Sequence, residues 1–367
     1  MKVAITGANG FIGKTLSLRL RELQSFEIVP LGRNNSLAAA SAADAIIHLA
    51  GVNRPADDSE FAVGNADVTK QLCDALIDAG KAIPIIYASS IKVQSDTAYG
   101  RSKLAAERLL TAYAERVGTS VQVCRLPNVF GKWCRANYNS AVATFCHNAA
   151  RGVPIDIHDP AAPLQLAYID DVADRFIDLL RAPAVPGFRY MEVAPIYHTT
   201  VGEVADLILK IARARGAEPL PNMGVGLTRA LYATYVSYLP AEAIGYVLQR
   251  HTDKRGDFAE VLRTEGAGQF SVFTANPGVT RGGHYHHTKV EKFLVLSGHA
   301  RFGFRHILTG EVCEIDVSAQ DLKIVETIPG WAHSIKNVGS DVLICWLWAN
   351  ELFDAKRPDT YPVQGMT

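Results

Sequence analysis

The sequence lacks the features that mark membrane proteins, secreted proteins and nucleic-acid-binding proteins. It has no run of about 18 apolar residues, so no membrane span and no membrane partner are expected. Lysine plus arginine and aspartate plus glutamate both number 37, and this balance argues against a nucleic-acid partner. Residues 1–5 do not have the pattern of a signal peptide. The six cysteines form no Cys-x-x-Cys pair, which is typical of reduced core residues in a cytoplasmic protein.

The pattern of hydrophobic residues changes once along the 367-residue chain. Strand-like and helix-like segments alternate over the first two thirds, which predicts an α/β fold with a doubly wound parallel sheet. The last third is rich in glycine, β-branched residues and aromatics at short spacing, which predicts an all-β unit. We place the boundary near residue 245, giving domains of residues 1–245 and 246–367.

A glycine-rich turn joins the first predicted strand to the first predicted helix. The apolar run at residues 2–6 ends in Gly-Ala-Asn-Gly-Phe-Ile-Gly, and leucines at helical spacing follow it. Glycines in this position allow a tight turn and close approach of the backbone to a pyrophosphate at a helix N-terminus. We therefore predict a dinucleotide site, with these candidate cofactor-binding residues: Gly7, Asn9, Gly10, Phe11, Ile12 and Gly13.

The second predicted strand, residues 26–31, is not followed by the acidic residue that an NAD site carries for the ribose 2′-hydroxyl. Arg33 stands there instead, and a guanidinium suits a 2′-phosphate. NADPH is therefore the expected cofactor. The alternative is that Arg33 is a solvated arginine after a strand.

Tyr99 and Lys103 are four residues apart on a predicted helix and should lie on one face of it. An ammonium beside a phenol favours the phenolate and lowers the tyrosine pKa. Tyr99 is thus a candidate proton donor to a carbonyl that receives a hydride. Taken alone, this spacing also fits an ordinary surface helix.

The residues at the carboxyl ends of several predicted strands could line one crevice. Gly7, Ala50, Ser90 and Leu126 each lie at or next to the carboxyl end of a predicted strand. In a doubly wound sheet, ligands bind in the crevice at these ends. Ala50 therefore joins the candidate cofactor-binding residues.

The first half of the chain resembles the extended short-chain dehydrogenase/reductases, which have a Rossmann-type sheet. Six motifs occur in that family's order, at residues 6–13, 48–51, 89–90, 99–103, 125–131 and 168–173. The resemblance implies that Tyr99 is the general acid and that Lys103 tunes it and binds the ribose. It further implies that Ser90, with Ser89 as second choice, bonds the substrate carbonyl. Leu49 is implied as a cofactor contact, and Asn65 as a residue that holds the site geometry or only caps a helix.

Two further features narrow the expected chemistry. Sugar dehydratases of that family carry an Asp-Glu pair after the catalytic hydroxyl, whereas Ile91 and Lys92 follow Ser90 here. Dehydration is therefore not expected, and reduction or oxidation is favoured.

Residues 128–146 are rich in polar and aromatic groups, and the equivalent family region binds the nucleotide-sugar. Together with Ser90, the candidate substrate-binding residues there are Asn128, Trp133, Asn137 and Asn139.

The second half contains a spaced histidine motif. His284 and His286 are two apart on a predicted strand and so face the same side, and Glu291 on the next strand can complete that face. His333 follows in a later segment. The spacing resembles the cupin motifs, which implies a jelly-roll fold. These four residues are the candidate ligands of a divalent metal, with zinc favoured. His287 points to the opposite face and is not counted.

A cupin beside a reductase suggests chemistry at the carbon next to a ketone. A 4-ketone acidifies the hydrogens at C3 and C5, so a base and an acid can invert one of these centres. The candidates for base and acid are polar residues near the predicted ligands, and sequence does not rank them: Tyr285, His287, Lys289 and Lys292.

The whole chain resembles the family of bifunctional capsular polysaccharide-synthesising enzymes F. The resemblance is strongest at residues 130–146, 234–240 and 283–298. It implies C3 epimerisation of a UDP-2-acetamido-2,6-dideoxy-4-keto-L-hexose by the cupin domain. It also implies C4 reduction with NADPH, giving UDP-2-acetamido-2,6-dideoxy-L-talose on the route to N-acetyl-L-fucosamine of capsule or O-antigen. Members of the family are homodimers.

Two alternatives remain at this point. The chain could be a UDP-sugar 4-epimerase or 4-reductase whose cupin is purely structural or dimerising. It could also be a nucleotide-sensing regulator on a dehydrogenase fold, but such proteins commonly lose the tyrosine–lysine pair that is kept here as Tyr99 and Lys103.

Overall fold

The computed structural model describes residues 1–32, 37–216 and 218–366. Contacts divide the chain into two compact units, Met1–Ile208 with Ala230–Pro240 and Leu209–Arg229 with Ala241–Thr367. A single domain boundary near residue 245 stays a prediction. Arg33, the residue expected to select NADPH, lies outside the described residues. None of the described helices is both long and apolar enough to cross a membrane.

The first unit is built on a six-stranded parallel sheet. Its central strands are runs of buried apolar residues, such as Val3, Ile5 and Ile47, as expected where helices cover both faces of a sheet. The described strands are β1 (Lys2–Thr6), β2 (Glu27–Leu31), β3 (Ala45–His48), β4 (Ile85–Ser90), β5 (Ser120–Leu126), β6 (Asn128–Phe130), β7 (Pro163–Tyr168), β8 (Gly187–Tyr190) and β9 (Tyr197–Thr200). The main sheet has the order β2-β1-β3-β4-β5-β8, and β6, β7 and β9 form a small second sheet. The strand order reverses beside β1, and this reversal opens a ligand crevice at the carboxyl ends of β1 and β3.

Helices cover both faces of the main sheet. The described helices are α1 (Phe11–Glu22), α2 (Val68–Asp78), α3 (Ala98–Val117), α4 (Ala141–Ala149), α5 (Ile169–Arg181), α6 (Val201–Arg213) and α7 (Gly226–Val236). On one face Leu16 of α1 and Phe176 of α5 share a core, and on the other Leu72 of α2 and Leu110 of α3 share a second core. Each fully buried side chain of this kind contributes about 1.5–3 kcal/mol.

The second unit is dominated by antiparallel strands. They are β10 (Arg250–Asp253), β11 (Gly256–Thr264), β12 (Gly268–Ala275), β13 (Thr280–Tyr285), β14 (Glu291–Ser297), β15 (His299–His306), β16 (Val312–Ser318), β17 (Ile324–Glu326), β18 (Trp331–Asn337), β19 (Leu343–Ala349) and β20 (Tyr361–Pro362). One sheet has the order β10-β11-β12-β19-β14-β17 and the other β16-β15-β18-β13-β20. Phe273 and Phe293 from the first sheet and Phe302 and Phe304 from the second fill a common core. The predicted fold class, a Rossmann-type parallel sheet followed by an all-β unit, is confirmed.

Candidate active site and metal centre

The glycine-rich turn after β1 is packed too tightly for side chains at two positions. Gly7 has φ of +68°, and a Cβ there would lie 2.8 Å from the backbone nitrogen of Ala50 and 2.9 Å from the carbonyl carbon of Leu49. A Cβ on Gly13 would lie 2.7 Å from Cα of Ala8. These contacts explain why glycine is required and why Leu49 and Ala50 border the same crevice.

The N-terminus of α1 has the properties of an anion site. Gly10 is the N-cap residue and supplies no side-chain cap, and the first turn, which begins with Phe11 and Ile12, contains no acidic residue. Asn9 is exposed beside it. The free amides and the helix dipole suit a pyrophosphate. The predicted cofactor residues of this turn therefore lie together in a cradle that fits a dinucleotide.

Thr6 links the ends of β1 and β3. Its Oγ1 accepts hydrogen bonds from the backbone N–H groups of Leu49 and Ala50, both at 3.1 Å. The hydroxyl hydrogen is then directed to Nδ1 of His48, 2.7 Å away. The Thr6 side chain thus fixes the backbone that approaches Gly7.

His48 is completely buried and its protonation is set by its partners. Because Nδ1 accepts from Thr6, the ring hydrogen sits on Nε2, which donates to Oγ1 of Thr69 at 2.9 Å. Burial, and to a lesser extent the charge of Lys103, lower the pKa of His48 to about 3. The ring therefore stays neutral near pH 7 and links Thr6 and Thr69 in a continuous chain of hydrogen bonds.

Asn65 continues that chain toward the catalytic helix. Asn65 lies in a π-helical segment, Ala62–Asp67. Its backbone carbonyl oxygen accepts a hydrogen bond from the Thr69 hydroxyl. Its side chain bonds the backbone of Val52 in both directions, and its Nδ2 lies 3.0 Å from Oγ of Ser102. The buried amide joins the loop after β3 to α3, as expected of a residue that holds the site geometry.

The two serines at the end of β4 have different partners. Ser89 donates a hydrogen bond to the Glu107 carboxylate at 2.5 Å. Ser90 accepts from the backbone N–H of Lys92 and is also hydrogen-bonded to the Tyr99 hydroxyl. Ser90 therefore faces Tyr99, whereas the Ser89 hydroxyl is held elsewhere.

Lys103 is buried beneath the site rather than paired with Tyr99. Its Nζ donates to the Ala88 carbonyl oxygen at 2.8 Å and lies 4.5 Å from the centroid of the Tyr87 ring. Burial lowers the pKa of Lys103 to about 7, against the opposing effect of Glu107.

The expected effect of Lys103 on Tyr99 is corrected by the structure. Burial raises the pKa of Tyr99 above its ordinary value, and only the hydrogen bond with Ser90 acts in the lowering direction. The predicted lowering assumed that the ammonium lies against the phenol, but Lys103 is bonded to the Ala88 carbonyl instead, and loss of solvent around the phenol raises its pKa.

The position of α3 is fixed by Gly100. A Cβ at this residue would meet the backbone oxygens of Lys92 and Ser95, and it would come within 3.0 Å of the Ser95 hydroxyl. The helix backbone thus rests directly on the turn that follows Ser90. This contact sets the distance between Tyr99 on the helix and Ser90 on the strand.

The candidate substrate residues lie on β6 and on the loop that follows it, within residues 128–140. Trp133 has about half of its surface exposed and positive φ, and Asn128, Asn137 and Asn139 are exposed. Asn137 is anchored through its backbone N–H to Oγ1 of Thr144. Their amides and ring are therefore available to a ligand.

The same loop is tied to the segment after β3. Arg54 donates a hydrogen bond to the carbonyl oxygen of Tyr138. The Tyr138 hydroxyl donates to Oδ1 of Asn53 at 3.4 Å. These contacts bring the loop toward the segment that also contains Gly51, where a Cβ would lie 3.7 Å from Nζ of Lys103.

Four predicted metal ligands in the second unit come together. The ligand atoms of His284, His286, Glu291 and His333 all lie within 4.8 Å of one another. Oε2 of Glu291 is 3.3 Å from Nε2 of His286 and 3.2 Å from Nε2 of His333. His284 is directly opposite His333 on paired strands β13 and β18, so the two rings share one face.

The chemistry of this cluster fits a divalent cation. Burial, followed by the His333 ring, lowers the pKa of His284 to about 4, so this ring is a neutral donor. Burial opposes ionisation of Glu291, but hydrogen bonds from His286 and His333 hold its pKa below the usual range. Three imidazole nitrogens and one carboxylate form a mixed nitrogen and oxygen set that suits zinc and similar metals.

Comparison with known proteins agrees with both units. The NAD dependent epimerase/dehydratase family matches residues 3–191, and the polysaccharide biosynthesis C-terminal domain matches residues 251–361. The chain is 49% identical over 365 residues to UDP-2-acetamido-2,6-beta-L-arabino-hexul-4-ose reductase of Pseudomonas aeruginosa, covering 98% of each chain. The chain belongs to the capsular polysaccharide-synthesising enzyme F family.

Solved structures extend the comparison. The capsular polysaccharide assembling protein CapF of Staphylococcus aureus superposes with a TM-score of 0.89 at 40% identity, covering 99% of this chain and 100% of that one. UDP-glucuronic acid 4-epimerase of Bacillus cereus matches 65% of this chain and 98% of its own with a TM-score of 0.55. At 19% identity, the second likeness shows a shared fold only.

One network in this member of the family was not found from its sequence. Glu107 is buried one turn after Lys103, and its carboxylate accepts from Ser89, Arg125 and the Tyr190 hydroxyl. Burial opposes ionisation of Glu107, but these hydrogen bonds hold its pKa below the ordinary value. The four-residue spacing from Lys103 was a visible signal, but the partners on β5 and β8 were not.

The candidate acid and base residues of the all-β unit have distinct surroundings. The rings of Tyr285 and His287 pack against Tyr361. Lys292 forms an exposed pair with Glu326. Lys289 is buried, donates to the Pro358 carbonyl oxygen at 2.6 Å and acts electrostatically on His284.

Proposed function

We propose that this chain is a bifunctional nucleotide-sugar enzyme. Its first unit would reduce a 4-ketone, and its second unit, as a cupin, would epimerise C3 of the same sugar. The observation that carries the proposal is the presence of two complete constellations in one chain. These are Ser90 and Tyr99 above buried Lys103, and the cluster of His284, His286, Glu291 and His333.

The substrate we propose is a UDP-2-acetamido-2,6-dideoxy-4-keto-L-hexose, and the product is UDP-2-acetamido-2,6-dideoxy-L-talose, an intermediate toward N-acetyl-L-fucosamine of capsule or O-antigen. The similarity to the Pseudomonas aeruginosa UDP-2-acetamido-2,6-beta-L-arabino-hexul-4-ose reductase supports a ketosugar of this class. Asn128, Trp133, Asn137 and Asn139 would contact the nucleotide-sugar. We further propose a cytoplasmic homodimer.

In the reductase unit, the turn at Gly7 and the N-terminus of α1 would hold a nicotinamide dinucleotide, which would supply the hydride for C4. Tyr99 donates the proton that the C4 oxygen needs, and its hydroxyl is already directed toward Ser90. Ser90 holds the substrate oxygen by a hydrogen bond. Lys103, buried beneath the site, would bind the cofactor ribose in its charged form. NADPH rather than NADH is proposed because Arg33 replaces the usual acidic residue.

In the second unit, His284, His286, Glu291 and His333 would hold a metal, which would supply Lewis-acid chemistry at the ketone and so acidify the C3 hydrogen. Zinc is proposed because the donor set is three imidazoles and one carboxylate. The chain's own residues must remove and return a proton on opposite faces of C3. Among the four candidates, Lys289 is favoured because it is buried and close enough to influence His284.

The reductase assignment is tested with Tyr99→Phe in the full chain. Removing the phenol hydrogen should reduce NADPH oxidation with the 4-ketosugar by at least 100-fold. Retention of wild-type turnover would refute the role of Tyr99. Arg108→Gln, a substitution at an exposed position of the same helix, is the control and should keep full activity.

The epimerase assignment is tested with His333→Ala in deuterated water without NADPH. The wild-type protein should introduce deuterium at C3 of the ketosugar, and His333→Ala should not. Tyr99→Phe should still exchange C3, because its defect lies in the other unit. Absence of C3 exchange by the wild-type protein, together with tightly held NAD, would instead support a 4-epimerase with a structural cupin.

A further inference from the structure

Asp359 caps the loop that follows His286, the metal-ligand histidine directly after β13. Its Oδ1 accepts from the backbone N–H of His287 at 3.0 Å, and its Oδ2 accepts from those of Thr288 at 2.9 Å and Lys289 at 2.8 Å. The Thr288 hydroxyl donates to the same Oδ2 at 3.2 Å. One carboxylate therefore fixes three successive peptide units directly after His286.

The backbone of Asp359 contacts His286 itself. The carbonyl oxygen of Asp359 is hydrogen-bonded to Nδ1 of His286. A carbonyl oxygen only accepts, so Nδ1 must carry a hydrogen, which leaves Nε2 as the ring atom that could bind a metal. Nε2 is the atom that lies 3.3 Å from Glu291 inside the cluster. Asp359 thus selects the ring tautomer that a metal ligand requires.

The conformation of Asp359 depends on its carboxylate. The residue has φ of +39°, a region that costs energy for any side chain other than glycine. The bonds to three amides offset that cost and aim the carbonyl at His286. The adjacent segment is attached as well, since Tyr361 pairs with Tyr285 and the N–H of Val363 donates to the Gly283 carbonyl.

We propose that Asp359 is a positioning residue of the metal centre, acting through the tautomer and orientation of His286. This inference rests on the metal binding proposed above. Asp359 is not one of the four ligands, and its carboxylate is directed to backbone amides instead. A residue that only stabilises a loop would affect folding without changing the coordination of a bound metal.

Two variants of Asp359 test the role of its carboxylate separately from the cost of its positive φ. Asp359→Asn keeps the side-chain size but places an amide group against N–H donors. Asp359→Gly removes the side chain while relieving the cost of positive φ. The control is Asp354→Asn, because Asp354 lies in the same segment and caps only the exposed N–H of Lys356.

The measurement is zinc affinity of each full-length, metal-free protein in competition with a chromogenic chelator. Loss of an outer partner of a metal ligand costs about 10–100-fold in metal affinity, so both Asp359 variants should bind zinc that much more weakly. Asp354→Asn should match the wild type. Cobalt(II) substitution adds a second readout, because its visible absorption bands report the ligand geometry and should change in the Asp359 variants alone.

Thermal unfolding in EDTA checks that the variants are folded before affinities are compared. Zinc affinity and cobalt spectra equal to wild type in both Asp359 variants would overturn the positioning role. If the wild-type protein itself binds neither zinc nor cobalt, the proposed metal centre fails, and the inference about Asp359 fails with it. The two failures are therefore distinguishable in one titration series.

Discussion

The ammonium of Lys103 lies 4.5 Å from the centroid of the Tyr87 ring, within cation–π range. The Tyr87 hydroxyl is buried and has no hydrogen-bond partner in the described part of the chain. The ring face, rather than the hydroxyl, is therefore what this tyrosine offers to Lys103. His48 stacks on the same ring at 5.2 Å, so the three groups form one buried stack under the active site.

We expect Tyr87→Phe and Tyr87→Leu to behave differently. Phenylalanine keeps the ring face, whereas leucine removes an attraction of about 0.5–2 kcal/mol for the charged form of Lys103. Since one pKa unit corresponds to about 1.36 kcal/mol, the pKa of Lys103 should fall by roughly 0.4–1.5 units in Tyr87→Leu. The alkaline limb of the NADPH-oxidation pH profile should shift to lower pH by that amount. An equal shift in Tyr87→Phe would contradict the cation–π role.

We expect Glu107→Gln to destabilise the reductase unit. The substitution leaves Arg125 without its carboxylate partner and weakens the bonds to Ser89 and Tyr190. Because the Arg125 side chain is 28% exposed, the expected cost is about 1–3 kcal/mol in the free energy of unfolding, measured by urea titration. Asp74→Asn breaks only an exposed pair and should show no measurable change. Equal stability of Glu107→Gln and wild type would refute the network's role.

The pKa of His48 predicts a specific acid sensitivity. In the folded protein this pKa is lowered from 6.5 to about 3, so between these values only the unfolded chain gains the proton. The contribution of His48 to stability is complete above pH 6.5 and is lost progressively as the pH falls toward 3. Between pH 7 and pH 5, this residue should cost the wild type about 2 kcal/mol.

The comparison variant for His48 is His48→Gln, which does not titrate in this range. Its free energy of unfolding should fall less than that of the wild type between pH 7 and pH 5, since every other group is shared. Urea unfolding at both pH values gives the difference directly. Parallel losses in the two proteins would mean that the native state takes up the proton as readily as the unfolded chain, so that folding does not lower the pKa of His48.

Zinc should raise the thermal unfolding temperature of the second unit through its four ligands. At a free zinc concentration 100 times the dissociation constant, the stabilisation is about 2.7 kcal/mol. His286→Ala should abolish this shift, whereas His287→Ala should keep it, because the His287 ring packs with Tyr285 and Tyr361. The shift is measured by differential scanning calorimetry with and without EDTA. A shift lost equally in both variants would contradict the assignment of faces.

Local sequence patterns predicted much of the fold. The parallel strands follow short buried apolar runs, and the glycine-rich turn was predicted from its place between the first strand and the first helix, which are adjacent in sequence. The spacing of His284 and His286 predicted a shared face because strand side chains alternate. These features depend on residues close in sequence, which is why the sequence alone predicted them.

Other features depend on residues far apart in the chain. Glu107 meets Tyr190 across 83 positions, and Asp359 meets His286 across 73. The direction of the Tyr99 pKa shift was missed because it depends on how much solvent the folded chain removes from the phenol. These contacts and the burial of the phenol cannot be predicted from local residue spacing, because they form only when strands and helices pack.

The contact of Gly100 with the turn after Ser90 limits which amino-acid substitutions the active site can tolerate. Tyr99, Lys103 and Glu107 lie on successive turns of one rigid helix, so their mutual spacing survives almost any substitution on its outer face. The close packing of Gly100 on the turn after Ser90 helps to set how near the helix approaches that strand. A side chain at residue 100 would displace all three groups together. Mutational tolerance should therefore be lowest at a residue that has no functional group of its own.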